Sequence, residues 1–309
     1  MQSHYRELIK ETQTLEEQNN ENFIRLFALE GEMTPEHPLS QVTLCCNPYY
    51  VYSKKTFEND DEPWVMQRAD LMRDLISYAV GCMFGRYSLD KEGVILGRKI
   101  GETLQDFKDL VGNTAFEIDD DNIIPIVGES GYFADDICVR FQTFLKMVFG
   151  EEHLRENLTF IADCLNVKNK RDYDLRTYFN TEFYDDHVRR YKKRPVYWMF
   201  QSPKKNFKAL IYIHRYRSGL VSRLRRNYLL DYKNKLDLKL AQLEKANESG
   251  KGASYKKIER IRKQTVDMQN YDASCLYQFA QDDISIDLDD GVKVNYPKFG
   301  TALAKITGM

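Results

Sequence analysis

A chain of 309 residues with 42% hydrophobic and 13% aromatic side chains can bury a sizeable core, which excludes a disordered polymer. Its 45 basic and 47 acidic residues leave a net charge of −2, and no run of about 18 uncharged apolar residues offers a membrane span. The amino terminus lacks the apolar stretch of a signal peptide, and six scattered cysteines and five scattered histidines show no zinc spacing. A cytoplasmic chain with free thiols and no structural metal is expected.

Residues 5–29 read as a helix carrying Leu8, Leu15, Phe23, Ile24, Leu26 and Phe27 among Glu, Gln and Asn. Its polar first half suits the end of an upstream coiled coil, and Gly31 and Pro35 stop it. Residues 41–52 look extended, broken at Asn47-Pro48. A strong helix is expected over 64–84, with Leu71, Leu75, Tyr78, Ala79 and Cys82 on one face. The section 101–136 carries ten acidic residues against one Lys, with a short strand expected at 123–127. Helices follow over about 135–149, 151–165 and 175–191.

Arg194-Pro195 ends the last of these, and 196–200 and 207–213 read as a β-hairpin with Lys204 and Lys205 at its tip. From Leu220 a helical pattern runs through Leu229, Tyr232, Leu236, Leu240 and Leu243. After a Gly-rich loop at 247–253 it returns through Tyr255, Ile258, Ile261, Thr265 and Met268. The stripe is narrow, which predicts a hairpin projecting from the body. The tail, 284–294, predicts two short strands around an Asp289-Asp290-Gly291 turn. The expected fold is α+β, mostly α: a helical body with small antiparallel β-hairpins and a projecting antiparallel helical hairpin at about 220–272. Residues 1–30 would be a helical arm and 31–309 a single domain.

Charge is segregated. Residues 187–230 contain no Asp or Glu and 13 Lys and Arg, which leaves 32 basic against 47 acidic residues elsewhere. Such segregation points to a polyanionic partner. The candidates for phosphate contact are Arg189, Arg190, Lys192, Lys193, Arg194, Lys204, Lys205, Lys208, Arg215, Arg217, Arg223, Arg225 and Arg226, expected mostly on one exposed face. Eight aromatics are threaded among them: Tyr191, Tyr197, Trp198, Phe200, Phe207, Tyr212, Tyr216 and Tyr228. Aromatic faces can stack on bases, but taken alone these are better read as core.

No catalytic constellation emerges. Asn47-Pro48-Tyr49-Tyr50 is similar to the Asn/Asp-Pro-Pro-Tyr/Phe loop of amino-group methyltransferases, yet Tyr49 stands for the second proline. No Gly-x-Gly turn for a methyl donor precedes it, so an ordinary turn is expected. Gly81, Gly85, Gly93, Gly97 and Gly101 fit no phosphate-binding loop. Asp287, Asp289, Asp290 and Gly291 lack calcium-loop spacing, and Asp237-x-Lys239 lies on a leucine-patterned helix. His187 and His214 are lone histidines, more often structural than catalytic.

Several long blocks resemble the carboxy-terminal part of PglX, the adenine-specific DNA methyltransferases of type 1 BREX phage-defence systems. They are LISYAVGCMFGRYSLD at 75–90, YKKRPVYWMFQSPK at 191–204, ALIYIHRY at 209–216 and IDLDDGVKVNYPKFG at 286–300. The resemblance implies a bacterial protein that marks host DNA by methylating adenine, with S-adenosylmethionine as donor in the full-length protein. The family's donor site and catalytic loop lie in an upstream domain, so no catalytic residue and no cofactor is assigned to this chain. It is expected to be a non-catalytic module that engages double-stranded DNA for that upstream methyltransferase domain, with other BREX proteins as further partners and no membrane. The alternative is a protein-interaction module that docks other defence subunits.

Overall fold

Helices dominate the computed structural model, which describes residues 2–248 and 255–309. Packing divides the chain into two units, one comprising residues up to Met72 with Asp163–Lys170, the other Arg73–Ala162 and Arg171–Met309.

In the first unit, α1 (Gln2–Leu26) buries only Ile9 and Ile24, as its polar sequence requires. Ile9, Val42 and Trp64 form a small core with Tyr5, Leu44, Cys46 and Tyr49 packed on it. The extended stretch expected at 41–52 is not formed. A 3-10 turn, Leu39–Gln41, leads instead to the short helix α2 (Pro48–Val51). The cause is Asn47, whose Oδ1 accepts the Tyr49 N–H at 3.1 Å as an N-cap, with Pro48 preset at the first helical position. Its amide donates to Leu39 O at 2.7 Å and Val42 O at 2.8 Å. Asn47 is fully buried, so this turn is structural.

Helix α3 (Glu62–Met83) is followed by α4 (Leu104–Val111), closed by a Thr103/Asp106 capping box, and the two-residue strand β1 (Ile124–Pro125). Next come α5 (Ile137–Phe149), α6 (Leu154–Leu165), α7 (Leu175–Thr181) and α8 (Phe183–Arg190). The helix expected at 175–191 is thus two helices, broken at Glu182, where φ is −126°. Strands β2 (Tyr197–Gln201) and β3 (Lys208–Tyr212) form the expected hairpin, and β1 adds antiparallel to β3 to give the order β1-β3-β2. The register pairs Tyr197 with Tyr212 and Gln201 with Lys208.

Both faces of this sheet are covered, which explains strands that are apolar throughout. Trp198, Phe200, Phe207, Ala209 and Ile211 face the core of the helical hairpin. Tyr197 and Tyr212 pack on Phe84, with ring centroids 5.2 and 6.4 Å away.

Helix α9 (Leu220–Arg223) continues through a π-helical stretch, Leu224–Leu230, into α10 (Asp231–Glu248). The return helix α11 (Tyr255–Tyr271) passes through a second π-helical stretch, Asp272–Leu276, into α12 (Tyr277–Asp282). The glycine-rich loop expected at 247–253 lies outside the described residues beyond Glu248. The proximal half of the hairpin is part of the body: Leu224, Tyr228, Leu229, Tyr232, Leu236, Ile261, Met268 and Tyr271 are buried in the sheet's core. Tyrosines and methionine widen the stripe that leucines alone make narrow. The tail departs from expectation. Instead of two strands it forms a 3-10 turn, Leu288–Asp290, and helix α13 (Gly291–Asn295). Asp287 accepts the Asp289 N–H at 3.0 Å and the Asn295 amide donates to Gly291 O at 2.9 Å, bonds that replace a strand ladder.

One carboxylate joins the two hairpins. Asp267 of α11, 2% exposed, accepts from Ser202 Oγ at 2.7 Å, Lys204 N at 3.1 Å and Asn206 Nδ2 at 2.9 Å. It holds the β2–β3 turn in place. Asp267→Ala should lower stability by about 2–4 kcal/mol, because those donors lose a buried charged acceptor. Urea denaturation measures this; a midpoint unchanged from the parent would show the turn is held by packing alone.

Candidate nucleic-acid interface

The β2–β3 hairpin and its flanking helices position the acid-free segment. Arg189 and Arg190 lie on the last turn of α8 and pair with Asp186 and Asp74. Lys192, Lys193 and Arg194 form the exposed turn that follows, with Lys192 and Lys193 in the left-handed region at φ 50° and 63°. Lys193 Nζ reaches Gly308 O at 3.4 Å. Lys204 and Lys205 are exposed at the hairpin's closed end.

Lys208 and Arg215 point inward. Lys208, 4% exposed, donates to Asn180 O, and burial together with the Lys205 charge pushes its pKa down to about 8. Arg215, 3% exposed, donates to Phe84 O at 3.4 Å and Asp120 O at 3.2 Å. Arg225 forks onto Asp272 at 2.6 and 2.8 Å and lies 4.9 Å over the Tyr277 ring, which ties the two π-helical stretches together. Arg217, Arg223 and Arg226 are exposed.

The thirteen cations therefore divide by environment. Arg189, Arg190 and Arg225 are held by carboxylates, and Lys208 and Arg215 are buried. Lys192, Lys193, Arg194, Lys204, Lys205, Arg217, Arg223 and Arg226 are exposed and, among the described residues, form no ion pair. A five-residue strand, about 15 Å long, separates the turn at Lys192–Arg194 from the tip at Lys204 and Lys205. The exposed cations thus lie at the two ends of the hairpin and on the helix after it, not gathered at one end. The aromatics are core. Seven of the eight are buried, and Tyr191 is half-buried beneath Arg86, so base stacking by them has no support.

Acidic residues from the 101–136 section meet this segment. Carboxylate oxygens of Asp119, Asp120 and Asp121 lie within 4.8 Å of one another. Burial and the Asp121 charge push the Asp119 pKa up to about 7, against the opposing pull of Arg215 and Arg140. The Tyr228 hydroxyl donates to Asp135 at 2.7 Å and contacts Asp121 at 3.1 Å. Arg217 and Arg223 line a cleft with Glu102, Asp120 and Asp121. The consecutive aspartates were the visible signal for this cluster; nothing in the sequence indicated which arginines would face them.

No protein-family model matches the chain. It is 40% identical over 282 residues to the adenine-specific methyltransferase BrxX of Escherichia coli O9:H4 (strain HS), a match that spans 86% of this chain and 23% of that protein. It is 35% identical over 296 residues to the adenine-specific methyltransferase PglX of Lacticaseibacillus casei (strain Zhang), spanning 92% of this chain and 22% of the relative. The resemblance to PglX is upheld. The chain spans under a quarter of the length of these relatives, consistent with a carboxy-terminal part of PglX. No described helix is long and apolar enough to cross a membrane.

The Asp119 cluster carries a pH signature. A raised carboxyl pKa means the folded state holds a proton that the unfolded chain releases near pH 4, so this contribution to stability is full below about pH 4 and is lost as pH rises through about 7. Asp119→Asn, which cannot ionise, should flatten that decline and gain on the parent as pH rises from 4 to 8. Urea midpoints across this range provide the check, and parallel curves for the two proteins would contradict it.

Proposed function

We propose that this chain is the non-catalytic, DNA-engaging portion of a BREX-type adenine-specific DNA methyltransferase that marks host DNA in phage defence. The observation that carries the reading is the set of eight exposed cations that form no ion pair among the described residues, in a segment free of acids, on a chain similar to adenine-specific methyltransferases. Cations in this state neutralise phosphates, fixing register and affinity without reading sequence. The burial of Asn47 as a helix cap supports the view that catalysis and S-adenosylmethionine belong to an upstream domain. The partners in this reading are double-stranded DNA, that domain and other BREX proteins.

A second reading, a protein-interaction module, draws support from the carboxylates that hold Arg189, Arg190 and Arg225 and from the acidic cluster facing Arg215. Salt dependence separates the two. If about six cations touch phosphates, log K for duplex DNA against log salt should have a slope of roughly −5. Reversing charge at Lys192, Lys193 and Arg194 together should weaken binding to all sequences alike and flatten the slope. A slope near zero, with the triple variant indistinguishable from the parent, would overturn the DNA reading in favour of the protein partner.

A further inference from the structure

A cavity of about 640 Å³ in the second unit opens beside the closed end of the β-hairpin. Its walls come from α7, α8, β2, β3 and the segment after Leu303, which bonds to the sheet through Ala304 N and Met199 O at 2.8 Å. That bond carries Lys305 to the rim. Lys205 and Lys208 line the same space.

Lys208 is the unusual member. Its side chain is buried, yet an ammonium has three N–H donors, and the single acceptor bonded to it among the described residues is Asn180 O. No carboxylate pairs with it there. A buried charge left in this condition is costly, and its depressed pKa reflects that cost. The other charged groups at the cavity are largely committed. Arg176 forks onto Asp136 at 2.9 and 3.0 Å, Asp174 caps α7 by accepting from Thr177 N and Oγ at 2.7 Å, and Asp172 pairs with Arg171 at 3.6 Å. Lys205, Lys208 and Lys305 share the cavity with three exposed carboxylates, Asp172, Asp174 and Asp185, and the capping bonds of Asp174 leave its charge in place.

We infer that this cavity binds a phosphate group, held by Lys208 at its floor and by Lys205 and Lys305 at its rim. A phosphate offers enough acceptor oxygens for three separate ammonium groups, and the volume leaves room for the sugars of a diester. The inference rests on the DNA reading only for the source of the phosphate: a DNA backbone in that reading, a free phosphate compound otherwise.

Two arms test it on the whole chain. In the first, inorganic phosphate is compared with chloride at matched ionic strength. At about tenfold excess over its dissociation constant, phosphate should raise the parent's Tm by roughly 2 °C. Lys305→Gln, which alters an exposed side chain, and Lys208→Met, which keeps the buried stem, should each abolish the rise relative to their own chloride baselines. In the second arm, a DNA source requires the affinity for a random duplex to fall by about fivefold in Lys305→Gln at low salt. Loss of the phosphate effect with duplex affinity unchanged supports the site and assigns it a free phosphate compound. A parent without a phosphate-specific rise, or a rise that survives both substitutions, overturns the inference. Should the parent bind duplex without salt dependence, the DNA reading falls, and the phosphate arm still judges the cavity.

Discussion

Burial of the β2–β3 hairpin on both faces is the constraint on which the rest of the second unit depends. Tyr197, Trp198, Met199 and Phe200 pair with Ala209 to Tyr212, and every one of these side chains is within the core. A hairpin with no solvent-facing side has no place for charge along its length. The cations encoded around it must therefore emerge at its two ends and on the helix beyond. Lys208, the one cation inside the strand pair, is the exception, and it is the one whose ammonium is left short of partners.

The same constraint sorts the aromatics from the basic residues that surround them in sequence. Tyr, Trp and Phe supply the bulk that fills the space between the sheet and the helical hairpin, while arginines near them take up carboxylates brought in from elsewhere in the chain. Asp267 holds the turn, Asp272 holds Arg225, and Asp119 to Asp121 face Arg215. Part of the apparent charge segregation is thus resolved by folding. The part that is not resolved, eight exposed cations, is what sets this surface apart.

Much of the architecture was legible. The 64–84 helix, the β-hairpin and the helical hairpin each announce themselves by periodicity or turn chemistry, and they form close to the expected bounds. Short polar side chains defeated the reading elsewhere. Asn47 starts a helix where β-rich residues suggested a strand, and Asp287 and Asn295 bond locally where an Asp-Gly turn suggested a hairpin. The site was legible as a composition but not as a geometry. An acid-free run cannot reveal that Arg215 turns inward to Phe84 and Asp120, or that Arg225 meets an aspartate 47 residues away.

If the exposed cations at the two ends of the hairpin lie against DNA, bound duplex must shield them from reagents. Lysine acetylation of the chain, read by mass spectrometry with and without a saturating duplex, tests this residue by residue. Lys192, Lys193, Lys204 and Lys205 should be protected, with Lys10 and Lys54, also exposed, modified as before. Uniform modification of all six in the presence of bound duplex would contradict it.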